Sequence, residues 1–552
     1  MNQPTPALVT QRAAERLPRL ALVMFCAAYL LPGLFGRDPW RNADLTAFAT
    51  MLGMAEGRTP WWAPTLGDLP AETALLPHAL GAMFIKLLGT WMDPALAARL
   101  PFAALLALTL ALVWYATFNL ARTEAAQPVP FAFGGEADPI DYARALADGA
   151  LLATIATLGL LQLGHETTPE LMQLSEVALW LWALAAAPYR SAAVRAALLL
   201  ALPALASSGA PAMAVALGAM ALLVILRSSY PEVRALWPWL LASLALAVGV
   251  ATLLGAWQSR LNVPSLAGTG RLLLWFPWPA WPLALWTLWR WRQHWQRRHI
   301  AVPLVTVIVG VVACIAMGGS DRALMLAIPG LAVLAAFSLP TLKRSAGSAI
   351  DWFSVFFFSL AGLAVWVIYL SMQTGVPAKP MANILRLAPG FAPPRFSVIE
   401  LMAAIAGTVA WLWLVRWRTS RNRHPLWKSL VLPASGVALA WLLTMTLLLP
   451  ALDYGRSPRP LMALVERHVP RGACVRAPGM TRANVAALEV FGSHRVWTSS
   501  SVGAASSGCN HLLLSWRGNA PLPKPPEGWE LDARLRRPGE RSEQLLIYRK
   551  AR

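Results

Sequence analysis

"LALVMFCAAYLLPGLFGRDPWRNADLTAF", residues 20–48, runs from an apolar block straight into Arg37, Asp38, Arg41 and Asp44. Charged residues make up only 13% of the chain, so four of them at the mouth of one hydrophobic segment call for a reason. The apolar half of the stretch decides the fold. Hydrophobic residues are 57% of the 552 and the mean hydropathy is +0.51, and they fall in repeated blocks of bilayer-crossing length. The chain therefore reads as a polytopic α-helical membrane protein. No small-residue cleavage site follows the first block and many further blocks do, so it reads as a retained helix and not as a signal peptide.

The net charge of +20 does not indicate a nucleic-acid partner, because the basic residues sit in short clusters between apolar blocks. Arg12, Arg16 and Arg19 hold the N-terminus in the cytoplasm, which puts Arg37 and the loop beyond it on the outer face. Arg190 and Arg195, Arg227 and Arg234, "RWRQHWQRRH" from Arg290, Lys343 and Arg344, and "RWRTSRNRHPLWK" from Arg416 mark further inner loops. With these fixed, spans are expected near 20–36, 97–120, 147–164, 172–189, 194–207, 211–227, 235–256, 272–289, 301–318, 324–341, 351–372, 397–415 and 429–450. That is about 13 transmembrane helices within 1–450. "ALLPHALGAMFIKLLG", 74–89, is short and carries Lys86 in its middle, so it is expected as an interfacial or re-entrant helix in a first outer loop over 37–96.

After Pro450 helix-like and strand-like runs alternate, as in "ANVAALEVFGSHRVWT" and "EQLLIYRK", which predicts a small α/β domain over 451–552. The topology makes that domain periplasmic. Cys474 and Cys509 both fall in it, and an oxidising compartment would pair them.

Polar groups gather at the outer ends of the predicted spans. The first loop supplies Arg37, Asp38, Arg41, Asp44, Arg58, Asp68 and Glu72, "HETTPE" supplies His165, Glu166 and Glu170, and "GGSDR" supplies Asp321 and Arg322. Ionisable groups at a membrane boundary are costly unless solvated or paired, so their convergence marks a candidate site. Cations beside a few carboxylates suit a phosphate-bearing substrate handled near a base or a metal. Arg58 and Asp68 read as solvated loop charges. Asp44 stands on an interfacial helix with Leu45, Phe48 and Leu52, and is expected to face a cleft. His165 and Glu166, adjacent on the chain, are a weak metal signal, and helix capping by Thr167 or Thr168 ahead of Pro169 competes with it. No metalloprotease, P-loop or dinucleotide signature is present.

The stretches "GRDPWRNADLTAF", "GDLPAETALLPHALGAMFIKLLG", "HETTPE" and "SDRALMLAIPGLAVLAA", in this order over essentially the whole chain, resemble the bacterial GT-C glycosyltransferases. These include the lipid A aminoarabinose transferase and protein O-mannosyltransferase-like families. The resemblance implies a polyprenyl-phosphate sugar donor, a lipid A, glycan or protein acceptor, and inverting transfer on the periplasmic face of the bacterial inner membrane. It places Asp44 at the acidic motif position as base or acceptor-orienting group and Glu72 at the later glutamate. Ala43, Thr73, His78 and Ala79 depart from the family pattern. Arg41, Lys86 and Arg322 are then the phosphate candidates, His165, Glu166 and Asp321 complete the expected substrate site, and a divalent metal is a candidate cofactor without an assigned ligand set. The competing reading is a transporter or flippase of a lipid-linked substrate. Charges at one boundary and the lack of an internal repeat speak against it. A partner-binding protein on a membrane anchor leaves the large helical portion unexplained.

Overall fold

The computed structural model describes residues 5–40, 42–258, 261–393, 395–419, 425–499, 508–517, 527–540 and 543–550. Up to Leu447 the described chain is almost wholly helical, as its apolar blocks require. Among the described residues six helices are long and apolar enough to cross a membrane: Pro94–Ala121, Pro231–Leu253, Arg298–Ala316, Arg344–Thr374, Val398–Arg418 and Lys428–Leu447.

Several of the other expected spans are shorter than the sequence suggests, and prolines explain why. The block over 272–289 is two helices, Leu266–Trp275 and Ala280–Arg290, of 10 and 11 residues. Between them lies Phe276-Pro277-Trp278-Pro279; each proline lacks an N–H and restricts the residue before it, so the helix cannot run through. Each half reaches roughly 15 Å, about half the thickness of the hydrocarbon core. The block over 324–341 likewise breaks into Asp321–Met325 and Ile328–Ser338, with Pro329 in the first turn of the second helix. The first block ends early, as Arg19–Leu30, at Pro32 and Gly33. Gly33 has φ +80°, and a Cβ there would stand 3.0 Å from the Trp441 ring, so only glycine fits.

Two 18-residue helices, Pro139–Ala156 and Pro169–Ala186, are buried on nearly every side and form the centre. Pro94–Ala121 and Lys428–Leu447 pack around them. Arg344–Thr374 and Val398–Arg418 lie outside and present Phe356, Leu360, Leu412 and Trp413 outward, a surface suited to lipid.

The first loop holds a helix, Ala43–Ala55, then a short hairpin of β1 (Thr65–Leu66) and β2 (Leu69–Pro70), then a second helix, Leu75–Leu88. The second helix packs on the first and on Pro94–Ala121. Toward the C-terminus β3 (Cys474–Arg476), β4 (Arg495–Trp497), β5 (His511–Arg517), β6 (Trp529–Arg536) and β7 (Glu543–Lys550) form one sheet in the order β4-β3-β5-β7-β6. β3 runs parallel to β4 and β5; the other pairs are antiparallel. Helices Arg459–Val465 and Arg482–Gly492 close a core of Val465, Val475, Val485, Leu488, Leu513 and Ile547, which also takes in Leu45, Ala49 and Leu66 of the first loop. Cys474 and Cys509 are disulfide-bonded, with Cα atoms 4.8 Å apart.

Asp68, read from the sequence as a solvated charge, clamps the two parts together. Its carboxylate accepts from Thr498 N at 2.7 Å, Thr498 Oγ1 at 2.5 Å and Ser499 N at 2.9 Å. Arg58 likewise reaches Glu489 at 3.3 Å.

Candidate active site

The charged stretch after the first helix folds into a buried lattice of arginines and acids beneath the C-terminal sheet. Asn42 adopts φ +70°, and from there the chain enters Ala43–Ala55 so that Asp44 turns back on the preceding residues. Asp44 Oδ2 accepts from Trp40 N at 3.0 Å and lies 3.7 Å from Arg37 Nη2. Asp44 Oδ1 accepts from Thr167 N at 2.8 Å and Thr167 Oγ1 at 2.9 Å. Burial alone would raise its pKa, but the charges of Arg37 and Arg99 and the two backbone N–H groups outweigh burial and hold it below the usual carboxylate range. Asp44 is therefore an ionised carboxylate at 1% exposure that accepts three hydrogen bonds, two on Oδ1 and one on Oδ2, with Arg37 as its counter-ion.

Arg37 carries the next link. Its Nη2 donates to His165 O at 2.6 Å and its guanidinium lies 4.8 Å from the Trp40 ring centre. Arg37 Nε and Nη1 are buried and have no acceptor, and the same holds for Nε of Arg99, which enters from the first turns of Pro94–Ala121. Arg456 also lies 4.7 Å from the centre of the Trp40 ring, and Trp40 donates through Nε1 to Asp453 Oδ1 at 2.6 Å. Arg456 in turn donates to Gln162 Oε1 at 2.5 Å.

Asp38 lies at the more open edge, its side chain 19% exposed. Arg459 grips it with two bonds, Nη2 to Oδ1 at 2.6 Å and Nε to Oδ2 at 2.8 Å, and Ser457 Oγ donates to Oδ2 at 2.8 Å. Partial burial raises its pKa, but Arg459 and Ser457 more than offset this and lower it. Asp453 goes the other way: burial dominates and raises it, and the Asp38 charge adds to the rise.

Glu166 accepts from Arg322 Nη2 at 2.5 Å and Gln162 Nε2 at 2.8 Å. Burial and, next, the like charge of Asp44 raise its pKa. Arg322 also reaches Thr168 Oγ1 at 3.0 Å and Glu170 at 3.3 Å. Five chain segments thus meet here among the described residues: 37–40 with 42–44, Arg99, 162–170, Arg322, and 453–459.

No protein-family model and no curated protein matches the sequence. Among solved structures, ArnT from Cupriavidus metallidurans bound to undecaprenyl phosphate matches with a TM-score of 0.62 at 13% identity, over 96% of each chain. The apo state of the same protein matches with 0.62 at 14% identity, again over 96% of each chain. The fold is that of ArnT. This bears out the resemblance to the GT-C lipid A aminoarabinose transferases at the level of fold. At this identity ArnT speaks for the helix arrangement; the residues of the site are argued from their own contacts.

Of the residues expected in the site, the structure brings Asp44, His165, Glu166 and Arg322 together. Glu72 and Lys86 are exposed and, among the described residues, their side chains make no hydrogen bond or ion pair with the cluster. The cations beside Asp44 are instead Arg37 and Arg99. Asp321 is exposed and, among the described residues, accepts from the N–H of Arg322, at 2.8 Å, at the start of its own helix. His165 is wedged among neighbouring carbonyls and rings. Its ring nitrogens lie 2.7 Å from Leu161 O and 2.8 Å from Tyr29 O, and the ring packs on Tyr29 and Trp441. Burial pushes its pKa down to about 4. Arg41 lies outside the described residues. Among the described residues no group of three or more His, Cys, Asp or Glu side chains is placed to hold a metal, so no step is assigned to one. Arg99, Asp453, Arg456 and Arg459 were not among the expected site residues, and Arg37 was placed in the boundary cluster without a role. A charge in the first turns of an apolar helix, as in "ALAARLPFAALL", and the "DYGRSPR" run after the last span are the signals that point to them.

Proposed function

We propose that this protein is a multi-pass membrane glycosyltransferase that moves a sugar from a polyprenyl-phosphate donor to a lipid A, glycan or protein acceptor on the periplasmic face of the inner membrane, with inversion at the anomeric carbon. One observation carries the reading. Arg37 and Arg99, each under 5% exposed, keep buried N–H groups without acceptors beside a set of carboxylates held by neighbouring side chains. A buried charged donor left unsatisfied costs about 1–3 kcal/mol or more, and a donor phosphate would satisfy it. The ArnT fold is consistent with that donor class, since the C. metallidurans ArnT structure contains undecaprenyl phosphate.

The base role expected of Asp44 requires access to the acceptor, and Asp44 is 1% exposed where the side chain of Asp38 is 19% exposed. We assign Asp44 the task of fixing Arg37 and Thr167, and assign the acceptor-facing role to Asp38, which is more exposed and whose Oδ1 accepts a single bond from Arg459. In the proposed step the acceptor hydroxyl oxygen attacks the anomeric carbon and its proton passes to Asp38. The bond from that carbon to the donor phosphate breaks, and its electron pair leaves on the phosphate oxygen opposite Arg37 and Arg99. In this reading the expected spans that are too short to cross alone complete the membrane domain, with the N-terminus cytoplasmic and the sheet domain periplasmic.

The test is reconstituted protein with a panel of radiolabelled polyprenyl-phosphate sugars and membrane extract as acceptor. Transfer by wild type and its loss in Asp38→Asn are the expected result. Labelled lipid that crosses the bilayer without being consumed would replace this reading with the flippase one.

A further inference from the structure

A second group of arginines surrounds an open cleft of about 1290 Å3 at the opposite end of the central helices. Two helices fix the separation. Pro169–Ala186 starts beside Thr168 at the candidate active site, and Arg298–Ala316 ends just before Arg322; their other ends meet where Arg298 donates to Leu184 O. With 18 and 19 residues, they hold the two groups about 27–29 Å apart.

The mouth of the cleft is lined by Arg227, Arg292, Arg297 and Arg298, against a single carboxylate, Glu124, among its described lining residues. Tyr230 and His294 stand with them. Arg298 is the decisive group. It is 7% exposed, its guanidinium lies 5.4 Å from the Tyr230 ring centre, and its Nε and Nη1 have no acceptor. With Nη2 held by Leu184 O, Nε and Nη1 are left as separate single donors on a full positive charge, and the N-terminal end of Arg298–Ala316 favours the same anionic ligand.

Deeper in, the walls change character. Leu304, Val305 and Ile308 on one side face Met220, Leu223 and Val224 on the other. Ile308 lies ten residues along the helix from Arg298, so the apolar trough runs roughly 15 Å from the basic mouth. Leu223 and Ile308 are 49% and 43% exposed, which leaves the trough open along its length. A free anion would use only the mouth. An acyl-chain lipid with a phosphate head would use both parts.

We propose that this cleft is a binding site for an anionic phospholipid, its phosphate on Arg298 and its chain along Leu304, Val305 and Ile308. The site is separate from the proposed transferase centre and does not depend on that reading. Basic recesses between membrane helices at the inner face are a general means of holding anionic headgroups.

Full-length protein in detergent, washed free of lipid, is titrated with dioleoyl phosphatidylglycerol or dioleoyl phosphatidylcholine and the adducts are counted by native mass spectrometry, with inorganic phosphate as competitor. Phosphatidylglycerol is expected to bind more tightly than phosphatidylcholine and to resist displacement by excess phosphate. Arg298→Gln should weaken it about tenfold or more. Since Arg298 is buried, Arg227→Gln on the exposed rim serves as the variant that leaves the core untouched, with an expected loss of about fivefold. Equal binding of the two lipids, wild-type affinity in both variants, or full displacement by inorganic phosphate would each overturn the lipid site.

Discussion

The Arg298–Ala316 helix separates two arginine-rich regions that differ in their acids. At its C-terminal end Arg322 meets Glu166 and Glu170, Arg37 faces Asp44, and Arg459 grips Asp38. At its N-terminal end four arginines line a cleft with Glu124 as the one carboxylate among the described lining residues. Paired charges hold one another in fixed geometry and supply groups that can exchange protons; a lining rich in cations favours an anion. The first arrangement suits chemistry on a phosphate-linked sugar, and the second suits retention of a lipid.

The comparison breaks most readily at Asp44. Asp44→Asn removes the anion facing buried Arg37 and should destabilise the protein by about 3–5 kcal/mol, read as a lowered thermal midpoint with phosphatidylglycerol binding kept in the surviving folded fraction. An unchanged midpoint would mean that the acid–arginine lattice is not what fixes this end. The disulfide tests which end faces an oxidising compartment. Its 35-residue separation predicts a chain-entropy contribution of about 4 kcal/mol, so Cys474→Ser with Cys509→Ser should make the sheet domain susceptible to proteolysis while the helices remain protected. Two free thiols in protein purified without reductant would instead place the sheet, and the cluster beneath it, on the reducing side.

Smaller effects sharpen the contrast. Arg37→Lys keeps the charge but loses the planar fork, and transfer should fall about a hundredfold with little change in lipid retention at the far cleft. Acidification should act on the acid-rich end. Asp38 and Asp44 have folded pKa values below their unfolded ones, so the stability they contribute is present above about pH 3.9 and is lost as pH falls through the folded values. Glu166 and Asp453 are raised, so their contribution runs oppositely, greatest at low pH and lost as pH rises through their folded values. A stability profile of Asp38→Asn with a shallower acid limb than wild type is expected; identical limbs would remove Asp38 from the cause.

Much of this is legible along the chain. Apolar blocks mark the helices, and the first-loop charges with "HETTPE" and "SDR" mark the boundary where the site forms, because burying such groups needs partners. What hydropathy cannot give is span length where proline interrupts, as at Pro277 and Pro279. Nor can it show that Asp38 and Asp453, 415 positions apart, share a hydrogen bond. Lys86 reads as a phosphate ligand because it is a cation in an apolar run. Its helix turns it outward, and Arg37 and Arg99 take the place beside Asp44. The helix position of Asp44 suggests an open cleft, but nothing in the sequence reveals that Thr167 closes over it.

The most direct measurement is sugar transfer from polyprenyl-phosphate donors by Asp38→Asn and Arg298→Gln, side by side with wild type. Transfer lost by about 10²- to 10⁴-fold in the first and kept in the second is the predicted result. Wild-type transfer by folded Asp38→Asn would contradict the assignment of chemistry to the acid-rich end.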